Sequence, residues 1–207
     1  MKIEEAKAVM EETKSTEEIM KKIERCGRVC YQSESVEGSA DKFVKMLIKR
    51  GHESVLEHES ITFHIICDRG VLAELTRHRI ASFSVESTRY VKYKELTCIR
   101  PVYWKGVTSA REMTIWEKAM VRAERYYTNL LNRGVPPEQA RAVLPNSLKT
   151  EMYMTANLRE WRTIIKLRCD KRAHPQMREL MNQVLEQLWQ KLPVVFEDLK
   201  EKYLLEG

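Results

Sequence analysis

The chain has 207 residues, 43% of them hydrophobic and 32% charged, and a formal net charge of +6. That length buries one core comfortably, and the composition excludes a disordered or fibrous chain. No apolar run approaches the roughly eighteen residues of a membrane helix. The excess of cations suits an anionic partner, and without a block of like charge a set of phosphorylated small molecules fits better than nucleic acid.

Met1–Lys14 is charged and helix-friendly and lacks the apolar core of a signal peptide, so a cytoplasmic protein is expected. Ser15 with Glu18 predicts a capping box. It opens a helix through about Tyr31, with Ile19, Ile23, Cys26 and Cys30 inward. After a turn over Ser33–Ser39, a second helix runs to about Arg50, buries Phe43, Met46 and Leu47, and stops at Gly51. Ser60–Cys67 alternates, with Ile61, Phe63, Ile65 and Cys67 on one face, as in a half-buried strand. Gly70–His78 reads as a helix with Val71, Leu72 and Leu75 on its apolar side. Ser82–Tyr93 has no helical period and reads as extended, with a loop inside.

Thr114–Asn132 is a long amphipathic helix carrying Trp116, Met120, Ala123, Tyr127 and Leu130. Pro136–Val143 starts another, with Pro137 in its first turn, and Pro145 breaks it. Leu148–Met154 reads as a strand. Leu158–Arg168 and Pro175–Leu192 read as helices, followed by Pro193 and a closing turn to about Tyr203. Repeats and linkers are absent from the sequence, so residues 1–207 read as one domain. Its fold class is α+β, a small, largely antiparallel sheet packed with several long helices. The five cysteines are expected to be free and mostly buried, because their spacing fits neither a disulfide scaffold nor a metal site.

Chemistry concentrates in Arg77-His78-Arg79, followed by Ser82, Ser84, Glu86, Ser87, Thr88, Arg89 and Tyr90. Two arginines flanking a histidine are costly to bury unless an anion neutralises them. Guanidinium groups grip phosphate bidentately, and Ser/Thr hydroxyls add neutral donors. Residue types alone leave two readings open, an anion site and a solvated basic helix end.

Arg77-His78-Arg79, then seven residues, then Ser87 and Thr88-Arg89-Tyr90, resembles the signature of the flavin-dependent thymidylate synthases. Further segments resemble the family as well. They are Cys30-Tyr31-Gln32-Ser33, Gly51-His52-Glu53-Ser54 with Glu57-His58, Arg141–Pro145, Asn157-Leu158-Arg159, and Leu167–Asp170 with Ala173. The resemblance spans about residues 25–195. It implies reductive methylation of dUMP to dTMP, with methylenetetrahydrofolate as carbon donor and FAD, reduced by NADPH, as hydride carrier. It also implies a homotetramer with shared active sites and no cysteine nucleophile.

The same resemblance assigns roles. Arg77, His78 and Arg79 would contact flavin and nucleotide phosphate, with Arg77 shared between them. His52, Ser54, Asn157, Arg159 and Thr163 fall on cofactor-binding positions, although the family commonly has asparagine where Thr163 stands. Asn157 and Arg159 open a helix whose N–H groups and dipole favour an anion. Glu74, Val85, Glu86, Ser87, Thr88, Arg89 and Arg141 fall on nucleotide-binding positions. Arg168 would be catalytic, stabilising negative charge that develops around N3 and the adjacent carbonyl of the pyrimidine.

Three departures are visible: Val85 stands where the family often carries an acidic residue, Thr163 where an asparagine is common, and Arg172 where a histidine often lies. Glu86, one step on from Val85, would face the opposite side of an extended segment. On residue chemistry alone, ion pairs of Arg159 and Arg168 with Glu160 or Asp170 are the ordinary alternative. His58 and His64 read as structural, His52 as a binding residue or a helix-end cap, and Trp116, Trp161 and Trp189 as core. The rival functions are a nucleic-acid-binding module and a flavin-binding relative without synthase activity.

Overall fold

The computed structural model describes residues 1–102 and 109–205, except for the side chain of residue 109. Its strands are β1 (Lys2–Glu4), β2 (Lys7–Met10), β3 (Ser60–Asp68), β4 (Ala81–Val85), β5 (Thr97–Ile99) and β6 (Lys149–Asn157). Its helices are α1 (Thr16–Val29), α2 (Ala40–Lys49), α3 (Arg69–Leu75), α4 (Ser109–Asn132), α5 (Pro137–Ala140), α6 (Leu158–Arg168), α7 (Pro175–Lys191) and α8 (Pro193–Lys200). Single 3-10 turns cover Glu53–His58 and Arg141–Val143, and a π turn covers Glu201–Leu205. The fold is α+β with a small, mostly antiparallel sheet, as the sequence predicts. The four-stranded sheet has the order β2-β3-β6-β4, and β1 pairs with β5 in parallel.

The chain divides into two units: Met1–Lys7, Ile65–Arg77 and Ser84–Met152 form the first, and Ala8–His64, His78–Phe83 and Tyr153–Gly207 the second. In the first, Cys98, Trp116 and Met120 form one apolar cluster, against which Ile3 packs. Leu96, Tyr127, Ala140 and Leu148 form another. In the second, Phe63 meets Trp161 edge-on at 5.1 Å, and the Trp161 indole N–H donates to the Ile61 carbonyl at 3.0 Å.

The predicted capping box is present: Ser15 Oγ accepts from the Glu18 amide, and the Glu18 carboxylate accepts from the Ser15 amide at 2.9 Å. One inward face of α1 is corrected, however. Ile19, Ile23 and Gly27 are buried, but Cys26 is only half-buried and Cys30 is exposed. The helix ends at Val29, so Cys30 is its cap and lies past the last buried turn. The buried thiols are Cys67, Cys98 and Cys169, and burial pushes Cys98 up to about 11 and Cys169 up to about 12. Such thiols are poor nucleophiles at neutral pH.

Gly27 is where α1 approaches α2. A Cβ there would lie 2.8 Å from Phe43 Cε1 and 3.0 Å from Leu47 Cδ1. Phe43 is itself held by the Arg28 guanidinium 4.2 Å from its ring centre and by Tyr31 edge-on at 5.9 Å. Gly27→Val is therefore expected to lower unfolding stability by about 1–3 kcal/mol through overpacking, measurable by urea denaturation.

Other boundaries also move. Met1–Lys14 forms β1 and β2 rather than a helix. The sequence does carry the period of two, as Ala6, Ala8 and Met10, but the segment is too short to compete without partners. Those partners are tertiary. Gln183 accepts from the Ala8 amide at 3.1 Å, and Gln187 accepts from the Met10 amide at 2.8 Å and donates to the Ala8 carbonyl at 2.8 Å. Two glutamine side chains thereby satisfy β2 backbone groups that an edge strand would expose. The predicted helix over Gly70–His78 is α3, which stops at Leu75, so His78 lies outside it. α4 begins earlier than Thr114, β6 runs on to Asn157, and the closing turn is the helix α8.

Candidate active site

In the second unit, β6 passes directly into α6, and Asn157 serves both. Its Oδ1 accepts from the Glu160 amide at 2.8 Å, while the Leu158 amide donates to the Glu59 carbonyl at 2.9 Å. Two of the first N–H groups of α6 are thus already satisfied, which leaves less of the amide nest that the sequence suggests. Arg159 is exposed and pairs with Glu57, not Glu160. Thr163 is exposed, and its hydroxyl donates back to the Arg159 carbonyl at 3.2 Å. Asp170 pairs with Arg172 at 2.8 Å.

Arg168, the last residue of α6, turns to the signature histidine. Its Nε donates to His78 Nε2 at 3.0 Å, and His78 Nδ1 lies 3.5 Å from Glu160 Oε1. His78 is only 7% exposed, and burial first, then the Arg168 charge, depresses its pKa to about 4. A guanidinium cannot accept a hydrogen bond, so His78 Nε2 carries a lone pair and the ring is neutral. In the folded protein, His78 is expected to stay unprotonated down to about pH 4. A histidine NMR titration showing protonation near pH 6.5 would contradict this. Since the unfolded chain binds this proton first, the stability contribution is complete above about pH 6.5 and is lost as pH falls toward 4.

Arg79 follows on the exposed turn into β4. His52 is exposed, closes the end of α2 by donating its amide to the Leu47 carbonyl at 2.9 Å, heads the 3-10 turn without a side-chain cap, and lies 3.2 Å from the Tyr31 hydroxyl through Nδ1. Ser54 is exposed in the same turn. His58 is exposed at its end, while His64 stacks on Tyr153 at 4.8 Å. Trp116 and Trp161 are buried, and Trp189 is half-buried with Lys200 Nζ 3.0 Å from its ring centre.

In the first unit, Arg77 is exposed just past α3, and Glu74 is half-buried on that helix. Val85 ends β4 and is exposed. Glu86 accepts from the Tyr93 hydroxyl at 2.5 Å and faces Lys149 at 3.6 Å. Burial and then Glu86 push the Tyr93 hydroxyl well above its ordinary pKa. To replace the missing carboxylate of position 85, Glu86 would have to leave both partners. Ser87 shapes the loop: its hydroxyl accepts from the Arg89 amide at 3.2 Å and its carbonyl from the Val91 amide at 3.0 Å. Arg89 is exposed, 4.0 Å from Glu138, with its guanidinium 5.4 Å from the Tyr90 ring centre.

Thr88 is buried and accepts from Arg141 Nη1 at 3.2 Å, which brings together two residues the sequence assigns to the nucleotide. Both line a cleft of about 530 Å³ with Arg69, Thr76, Pro145 and Asn146, and no carboxylate is among its lining residues. Arg69 was not foreseen in this setting. Its Nη1 is buried with no hydrogen-bond partner among the described residues. The only sequence signal was an arginine directly after Asp68, the residue that caps α3.

Comparison with known proteins identifies the family and the fold. The family model described as thymidylate synthase complementing protein matches residues 10–194. A probable flavin-dependent thymidylate synthase of Mycobacterium phage L5 is 37% identical over 193 residues, covering 86% of this chain and 79% of the relative. A flavin-dependent thymidylate synthase of Geobacter sulfurreducens is 35% identical over 180 residues, covering 83% and 78%. Among solved structures, a UMP/dUMP methylase from Streptomyces cacaoi, bound with 5-Br dUMP, shares the fold at a TM-score of 0.81 and 23% identity, over 98% of both chains. With the signature histidine on one arginine and a cation-lined cleft in the other unit, the chain belongs to the thymidylate synthase complementing protein family, that of the flavin-dependent thymidylate synthases.

Proposed function

We propose that this chain reductively methylates dUMP to dTMP, with methylenetetrahydrofolate as carbon donor and FAD, reduced by NADPH, as hydride carrier. The observation that best supports this is the hydrogen bond between His78 and Arg168. It joins the signature motif to the arginine assigned to the pyrimidine, across 90 residues of sequence. The phage and Geobacter relatives carry the flavin-dependent activity by name, and the Streptomyces methylase holds a dUMP analogue.

The residues present fit a flavin dinucleotide. Arg77 and Arg79 are exposed, and neither forms an ion pair among the described residues. Each is an exposed guanidinium of the kind that binds phosphate bidentately. His52, Ser54, His78, Asn157, Arg159 and Thr163 would complete the flavin contacts. When bound, the flavin supplies the hydride taken from NADPH. Glu74, Arg77, Glu86, Ser87, Thr88, Arg89 and Arg141 would hold dUMP, and Val85 would add only apolar contact. Arg168 would stabilise negative charge at N3 and the neighbouring carbonyl, raising the nucleophilicity of the ring carbon. Residues 1–207 would act as one domain in a cytoplasmic homotetramer whose subunits share active sites.

The test is the absorption spectrum of the purified protein, followed by tritium release from 5-labelled dUMP with NADPH and methylenetetrahydrofolate. A yellow protein that releases tritium and forms dTMP is expected. A colourless protein that takes up no added FAD would overturn the reading. One that binds flavin but leaves dUMP unchanged would be a relative without synthase activity.

A further inference from the structure

Glu160 has no place in the assignments above, yet its carboxylate is largely buried, 11% exposed, beside an imidazole that is 7% exposed. Burial pushes its pKa upward. A carboxylate kept in such a place costs stability that an apolar residue of similar volume would not. Its position is set by α6 itself, because Asn157 caps the helix through the Glu160 amide at 2.8 Å. Arg168 lies on the same helix, two turns on, and the His78 ring bridges the two positions: Nε2 to Arg168 Nε at 3.0 Å, Nδ1 to Glu160 Oε1 at 3.5 Å.

Arg168 only donates, so the bond at Nε2 exists only when that nitrogen is unprotonated. The single proton of neutral His78 must then sit on Nδ1. The opposite tautomer would aim an N–H at the guanidinium N–H and an unprotonated Nδ1 at the carboxylate. We propose that Glu160 is a positioning residue for Arg168: its carboxylate, 3.5 Å from Nδ1, electrostatically favours a proton on that nitrogen and so holds His78 in the tautomer whose Nε2 fixes the Nε edge of the guanidinium, and with it the orientation of its plane toward the pyrimidine. The tautomer of His78 follows from this chain's geometry alone. Its consequence for turnover rests on the function proposed above.

The experiment uses the flavin-loaded enzyme labelled with ¹⁵N-histidine, with His78 resonances assigned by their loss in His78→Gln. Long-range ¹H–¹⁵N spectra of the wild type should show His78 as the Nδ1–H form. Glu160→Met, which keeps volume but removes the acceptor, should mix the tautomers and lower kcat for dTMP formation by about tenfold to a hundredfold. KM for dUMP should change far less. Glu160→Gln retains an acceptor oxygen, so it should keep the Nδ1–H form and recover kcat to within about threefold of wild type. An Nε2–H form in the wild type overturns the proposal, even if neither variant folds. So does a Glu160→Met enzyme with an unchanged tautomer, or Met and Gln variants that are equally impaired. If the wild type forms no dTMP, the proposed function falls, while the tautomer spectra still decide the role of Glu160.

Discussion

Arg168→Ala is expected to leave a yellow, folded protein that has lost dUMP methylation by about a hundredfold to a thousandfold in kcat, the usual cost of removing one preorganised donor from developing negative charge. Arg168 is half-buried at the end of α6, and its hydrogen bond to His78 fixes the Nε edge of the guanidinium. Truncation leaves the buried His78 Nε2 without its donor, so a stability loss of about 1–3 kcal/mol should accompany the loss of activity. Arg168→Lys should not restore activity, because an ammonium cannot bind the ring and His78 with one planar fork. Flavin content, thermal melting and steady-state rates on the same preparations separate the effects. Turnover within about threefold of wild type in Arg168→Ala would remove this residue from the mechanism.

Arg162→Leu is expected to produce the largest loss of stability. Arg162 is 2% exposed, and four of its five guanidinium N–H groups are committed. Nη1 and Nη2 donate bidentately to Asp198 at 2.8 and 2.7 Å, Nε donates to Glu53 at 3.2 Å, and Nη1 also meets the Val195 carbonyl. Breaking a buried ion pair costs about 3–5 kcal/mol. Asp198 is half-exposed and regains water, so the lower end, about 3 kcal/mol by urea denaturation, is expected. A loss below 1 kcal/mol would show that α6 and α8 are held by apolar packing alone.

The same pair sets part of the acid limit. Burial raises the Asp198 pKa, but the hydrogen bond and charge of Arg162 outweigh it, and the folded value lies below the ordinary 3.8. The unfolded chain therefore binds this proton at higher pH than the folded one. The contribution is present above about pH 4 and is lost as pH falls through the lower folded value. Glu59 behaves alike: burial raises its pKa and Lys22 and Lys14 lower it further. In Arg162→Leu the share of acid destabilisation due to Asp198 should disappear.

Much of the architecture was legible from local pattern. Ser15 with Glu18 marked α1, and the alternation of Ile61, Phe63, Ile65 and Cys67 marked β3. Pro137 and Pro175 marked helix starts, because proline fits only the first turn. Such signals depend on backbone geometry and neighbouring residues, which the sequence contains. The N-terminal strands were not legible. Their amides are satisfied by Gln183 and Gln187, residues some 175 positions away that no local window can supply.

The site divides along the same line. By itself the sequence determined the family and the inventory of cations, hydroxyls and histidine, because those depend only on residue type and spacing. It also showed that position 85 carries no carboxylate. The tertiary structure decided which charges are spent. It committed Arg159 to Glu57, Glu86 to Tyr93 and Lys149, and Arg162 to Asp198, and it brought Arg69 to a cleft with Thr88 and Arg141. It also placed Glu160 and Arg168 on the two nitrogens of His78. Charge pairing and tautomer choice follow from distance and burial, and those exist only once the chain is folded.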